Sequence, residues 1–143
     1  MKSTIEKYFL DTNFLVYCFS EDEPEKRERC LHLLQTAKTR LAFAISTQVV
    51  NEFTSVMLSK FKKPPLMVKA IVEDLTDFEV VSVTIPVIVA GIDIHLLHQI
   101  SFWDSLIVAA AKTAHCSTIL TEDLQDGQRI GGLTIQNPFT LTI

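Results

Sequence analysis

Four carboxylates stand where an acid is costly or well placed for chemistry: Asp11, Glu52, Asp104 and Asp123. Asp11 closes the apolar run Tyr8-Phe9-Leu10, and Asp123 follows the apolar run ending at Leu120. Glu52 lies three residues after Val49 and four before Val56, at the border of a helical apolar stripe. Asp104 is one turn from Ile107 and Val108 on the most apolar helical stretch. Each has a structural explanation of its own. Asp11 can cap a helix, Asp104 can favour a helix N-terminus beside Ser101, Asp123 can shape a turn, and Glu52 can face water. Taken together, acids at strand ends and early helix turns can point into one cleft. A cluster of ionised carboxylates needs protons or hard cations to offset its charge. Mg²⁺ and Mn²⁺ take oxygen ligands and keep several waters. They bridge phosphate oxygens, activate a water and stabilise a leaving oxygen.

The elements that would position these acids alternate between short β-rich runs and longer helical ones. Strands are expected at Tyr8–Leu10, Leu41–Ile45, Phe78–Val83, Ser117–Leu120 and Leu133–Ile135. Helices are expected from about Phe14, from Glu23 or Pro24 to about Lys38, and from Ser46 or Thr47 to about Phe61. Others should run from Leu66 to Leu75, from Pro86 to His98, and from Phe102 to His115. Leu106 to Ala111 is apolar all round, which predicts a central buried helix. Such alternation predicts an α/β fold with a central, mostly parallel sheet of four to five strands and helices on both faces. Ligands of such folds sit beyond the carboxyl ends of the strands, where Asp11 and Asp123 fall.

At 143 residues the chain is expected to form one domain, residues 1–143. Seventeen acids against thirteen bases give a net charge of −4, which excludes binding to nucleic acid by bulk positive charge. A polyanion would need a local basic patch or metal ions. The three cysteines, Cys18, Cys30 and Cys116, have no metal-ligand spacing and read as buried small hydrophobes in a reducing compartment. The apolar stretch from Val80 to Ile94 is broken by Pro86, Gly91 and Asp93, so no membrane span is expected. A cytoplasmic protein follows from these points.

Four segments, in order, resemble the PIN-domain family and most of all its VapC-type ribonuclease toxins. They are Phe9-Leu10-Asp11-Thr12-Asn13, Val49-Val50-Asn51-Glu52-Phe53, Ser101 to Ala111 with Phe102-Trp103-Asp104-Ser105 at its start, and Leu120 to Gly127. The resemblance covers essentially the whole chain. It implies a three-layer α/β/α fold and a metal-dependent endoribonuclease, the toxin of a type II toxin–antitoxin pair. The family's acids map onto Asp11, Glu52, Asp104 and Asp123, with Asp11, Asp104 and Asp123 as ligands to Mg²⁺ or Mn²⁺. Asn13 and Thr121 match supporting positions, and Asp126 is an extra acid that could replace or assist Asp123. The resemblance further implies an RNA substrate, with tRNA a candidate, a cognate antitoxin that inserts into the groove, and a homodimer.

Other readings fit less well. A haloacid-dehalogenase-type phosphatase needs a second acid two residues after the first, and that position is Asn13. A receiver domain needs an acidic pair at the first strand end, which is missing. A catalytically inactive PIN-like RNA-binding or adaptor module is the alternative, although it has no need of all four acids. Lys60, Lys62 and Lys63 follow the Glu52 helix and are either a solvated helix end or an RNA-backbone contact. Lys26, Arg27 and Arg29 read as a solvated face. His95 and His98 read as exposed or core histidines. Phe102 and Trp103 read as core packing at a helix start, with base stacking the lesser option.

Overall fold

The computed structural model describes residues 6–36 and 41–141. Among these residues, six strands form one sheet: β1 (Glu6–Leu10), β2 (Leu41–Ser46), β3 (Glu79–Val81), β4 (Thr118–Leu120), β5 (Arg129–Ile130) and β6 (Leu133–Gln136). Their order is β3-β2-β1-β4-β6-β5. All neighbours are parallel except β5 and β6. The expected mostly parallel sheet is present with six strands rather than four to five. The additional one, β5, is a two-residue antiparallel partner of β6 at the edge, too short to leave a period-2 pattern.

Among the described residues, six α-helices connect or flank these strands: α1 (Thr12–Phe19), α2 (Pro24–Thr36), α3 (Thr47–Ser55), α4 (Pro65–Asp74), α5 (Ile85–His98) and α6 (Phe102–Thr113). The expected extension of α2 over Ala37 and Lys38 lies outside the described residues. α3 ends sooner than expected, because Val56–Lys60 winds as a π-helix, with the Phe61 amide bonded to the Val56 carbonyl. Lys62 then takes a left-handed φ of 51°, and Pro64 ends the segment.

The central strands β1 and β4 are buried on both faces. Phe9 and Leu10 point to opposite sides of β1, and both are fully buried, as are Ile119 and Leu120 of β4. Helix α6 fills the interior as its composition demands, with Ser105 through Ala111 all buried. Gly91 lets α5 lie close against α6: a Cβ there would stand 3.0 Å from Leu106 Cδ2. The two helices meet at a 118° bend through Gln99, whose left-handed φ of 56° ends α5. Cys18, Cys30 and Cys116 are free and buried. Among the described residues, no single helix is long and apolar enough to cross a membrane.

β1 is central and sets the position of the site. From β1 the chain builds outward through β2 to β3 on one side, while β4 and β6 add on the other. The seam between β1 and β4 is therefore the topological switch point, where a crevice opens beyond the strand carboxyl ends.

Candidate active site

Asp11 sits at the end of β1 and caps α1. One of its oxygens, Oδ1, accepts from the Thr12 amide at 2.7 Å, and the other, Oδ2, accepts from the Thr121 hydroxyl at 2.7 Å. Thr121 follows β4, so this pair closes the switch-point seam. Asp11 is 8% exposed. Burial pushes its pKa from the usual carboxylate range to about 6. The bonds from Thr121 and Thr12 pull it down, and the charges of Asp123 and Glu52 push it up.

Glu52 approaches from α3. Its Oε2 accepts from the Thr12 hydroxyl at 2.8 Å, and its Oε1 accepts from Gln48 Nε2 at 3.1 Å. The same Gln48 nitrogen donates to the Trp103 carbonyl at 3.2 Å. Gln48 thus ties α3 to the first turn of α6, where Asp104 stands. The Asp104 amide is capped by the Ser101 hydroxyl at 3.0 Å, as Ser101 predicts. Asp123 lies on the loop after β4, and its amide donates to Thr121 Oγ1 at 3.0 Å.

Asp11 therefore senses the charges of both Asp123 and Glu52. Asp104 stands one residue after Trp103, whose carbonyl Gln48 ties to Glu52. The ion pairs among the described residues, Lys7–Glu79 and Lys26–Glu122, include none of these four acids. Their donor set is all oxygen and lacks a basic partner, which suits a hard divalent cation. No three of the described acids, histidines or cysteines stand close enough together to hold an ion by themselves. A cation here would keep much of its water shell.

The other candidate residues fall in different places. Asn13 is exposed on the first turn of α1. Asp126 faces the end of the chain instead of the acids: its carboxylate accepts from the Asn137 amide at 2.9 Å and the Thr140 hydroxyl at 3.2 Å. Lys60 and Lys62 are exposed and Lys63 is half-buried; Lys60 ends the π-helical turn and the other two follow it. None of the three is in an ion pair among the described residues.

Some residues have roles that their sequence positions do not announce. Lys26 is not a merely solvated residue. Its ammonium pairs with Glu122 at 3.0 Å and lies 4.9 Å from the centre of the Tyr17 ring, while the Tyr17 hydroxyl donates to Glu122 at 2.6 Å. This anchors the residue beside Asp123. Trp103 is 63% exposed rather than packed in the core. His95 binds the Ile100 carbonyl at 2.6 Å across the end of α5. Gln48 carried a usable signal, because it precedes Glu52 by four residues on one helix face.

The PIN domain family model matches residues 8–130. The chain belongs to the PIN domain family. The match spans all four acids and the switch-point seam. No curated protein sequence matches the chain. Solved structures do, and they share the fold. A VapBC2 complex from Rickettsia felis bound to a DNA fragment from its promoter is 22% identical with a TM-score of 0.64, covering 92% of this PIN domain chain and 98% of the other. A toxin–antitoxin complex from Klebsiella pneumoniae is 19% identical with a TM-score of 0.70, covering 94% and 99%. VapC20 from Mycobacterium tuberculosis, a sarcin–ricin-loop-cleaving toxin, is 16% identical with a TM-score of 0.65, covering 81% and 91%. The structural neighbours of this PIN domain thus include VapC toxins.

Proposed function

We propose that this PIN domain is a metal-dependent endoribonuclease and the toxin of a type II toxin–antitoxin pair. The observation that carries this reading is Asp11. It is a buried carboxylate at the switch point, held by two donors, near two further acids and without a cationic partner among the described residues. That arrangement is costly for folding alone and suits the binding of a divalent cation.

Asp11, Asp104 and Asp123 would hold Mg²⁺ or Mn²⁺. When bound, the ion offsets the acids' charge, lowers the pKa of a bound water and favours an anionic phosphodiester in an acidic cleft. The chain's own groups do the positioning. Thr12 and Thr121 fix the plane of the Asp11 carboxylate. Thr12 and Gln48 fix Glu52, whose oxygens each keep a free lone pair and can take a proton from an attacking water. Ser101 fixes the turn that presents Asp104.

RNA is the substrate on this reading, tRNA among the candidates, and the cytoplasm is where the protein meets it. A cognate antitoxin and a second copy of the chain are the protein partners. Support for the antitoxin comes from neighbours that are toxin–antitoxin complexes. Support for pairing comes from α5, where Ile85, Val89, Ile92 and Leu96 share one exposed face.

One observation favours a second reading, a catalytically inactive PIN-like RNA-binding or adaptor module: no three of the described acids close on one point. Expression of the chain alone in bacteria separates the two. Growth arrest by the natural chain, relieved by Asp11→Asn, is the expected result. Equal growth effects of both chains, at equal expression, would favour the adaptor.

A further inference from the structure

Beside the carboxylates, α3, the start of α5 and the start of α6 enclose a cavity of about 660 Å³. That volume lies within the range of small-ligand sites, about 300–1,000 Å³. Its lining includes Gln48, Asn51, Glu52, Phe102, Trp103 and Leu106. Glu52 belongs to both the cavity and the acid group, so the two are continuous.

Two features of the lining point to one kind of occupant. The first is an aromatic wall. Trp103 is 63% exposed although it neighbours Asp104, and Phe102 meets it edge-on at 5.5 Å and 64°. A large exposed indole at a cleft gives a flat surface for stacking. The second is an acceptor, the exposed Glu52 carboxylate. Gln48 behind it is only 9% exposed and holds that carboxylate through Nε2, which also donates to the Trp103 carbonyl. The carboxylate is acceptor-only, and each of its oxygens keeps a free lone pair.

We propose that this cavity is a nucleobase subsite, in which an unpaired base of the RNA substrate stacks on Trp103 and presents an N–H donor to the Glu52 carboxylate. A base combines a π-face with edge N–H groups, which matches an exposed indole beside a carboxylate. The proposal rests on the nuclease reading for its substrate, and it adds that the target must be unpaired next to the cut. Base pairing would hide both the face and the edge.

Trp103 is the only tryptophan in the chain, so its fluorescence reports on the cavity directly. The full chain, kept in EDTA to prevent turnover, is titrated with a short single-stranded RNA of mixed sequence and with an abasic oligonucleotide of the same length. The RNA is expected to quench the fluorescence and the abasic strand to leave it unchanged. Trp103→Ala should weaken RNA binding, measured by anisotropy of labelled RNA, by about 5- to 150-fold, the range of one lost stacking contact. Trp103→Phe should recover most of that loss. Equal quenching by the abasic strand, or unchanged RNA affinity in a folded Trp103→Ala variant, would overturn the subsite. So would a fluorescence response confined to an apolar peptide, which would make the cavity a protein seat. Cleavage by the natural chain without quenching defeats the subsite alone, and quenching without cleavage defeats the nuclease reading alone.

Discussion

The Thr121 hydroxyl donates to Asp11 Oδ2 at 2.7 Å, joining the ends of β1 and β4 across the switch point. This bond and the one from the Thr12 amide hold a buried carboxylate in place, yet Asp11 still has a pKa raised to about 6. Burial outweighs both donors, and Asp123 and Glu52 add to the effect.

A stability consequence follows. The folded pKa lies above the ordinary 3.8, so between the two values the folded chain binds more protons than the unfolded one. Stability contributed by the protonated group is full below the unfolded pKa and is lost as pH rises through about 6. In EDTA, the contribution should fall by on the order of 2–3 kcal/mol across that window. Asp11→Asn should flatten this part of the profile, with its amide donating to Thr121 Oγ1 and accepting from the Thr12 amide. Thermal unfolding at stepped pH checks it, and parallel profiles for the two proteins would contradict it.

Asp123 and Asp126 should separate cleanly. Asp123 acts on Asp11 through its charge, whereas Asp126 is committed to the Asn137 amide and the Thr140 hydroxyl. Asp123→Ala should abolish RNA cleavage with little loss of stability. Asp126→Ala should keep most cleavage and lose about 1–2 kcal/mol of stability. Cleavage rates against Mn²⁺ concentration, paired with denaturant titrations, decide it. A dead but fully stable Asp126→Ala protein would reverse the assignment.

The alternation of strands and helices, the mostly parallel sheet it implies and the position of Asp11 at a strand end were largely legible in the sequence, because they rest on local signals. Tyr8-Phe9-Leu10 before Asp11 reads as a central strand end, and Ser101 three residues before Asp104 reads as a cap. The illegible parts are set by distant neighbours. Lys26 looks solvated beside Arg27 and Arg29, but its partner Glu122 lies 96 positions away. Phe102-Trp103 looks like core beside the apolar run of α6, yet the cap at Ser101 places Trp103 on the outer side of the first turn. The π-helical turn at Val56–Lys60 arises before Pro64-Pro65 and leaves the apolar period almost unchanged.

Gln48 should act as a positioning residue. It links Glu52 to the α6 turn that presents Asp104. Gln48→Ala should lower cleavage by about 10- to 100-fold, the usual cost of losing a group that orients a ligand. A merely structural role would lower stability without changing the metal requirement. The expected signature is a higher Mn²⁺ concentration for half-maximal cleavage in a protein that unfolds near the natural temperature.

The lysines after α3 should matter through salt. Replacing Lys60, Lys62 and Lys63 with Ala should weaken RNA binding and reduce the slope of log affinity against log salt by up to about 2, at roughly 0.7 per lost single-strand phosphate contact. An unchanged slope would return the cluster to an ordinary solvated helix end.

The most direct test of the central claim is cleavage of RNA by the purified chain with Mg²⁺ or Mn²⁺, with EDTA, and with Asp11→Asn in place of the natural residue. The account predicts cleavage that needs the ion, stops in EDTA, returns when Mn²⁺ is restored and falls by orders of magnitude in Asp11→Asn. Full cleavage in chelator, or an Asp11→Asn protein as active as the natural one, would contradict it.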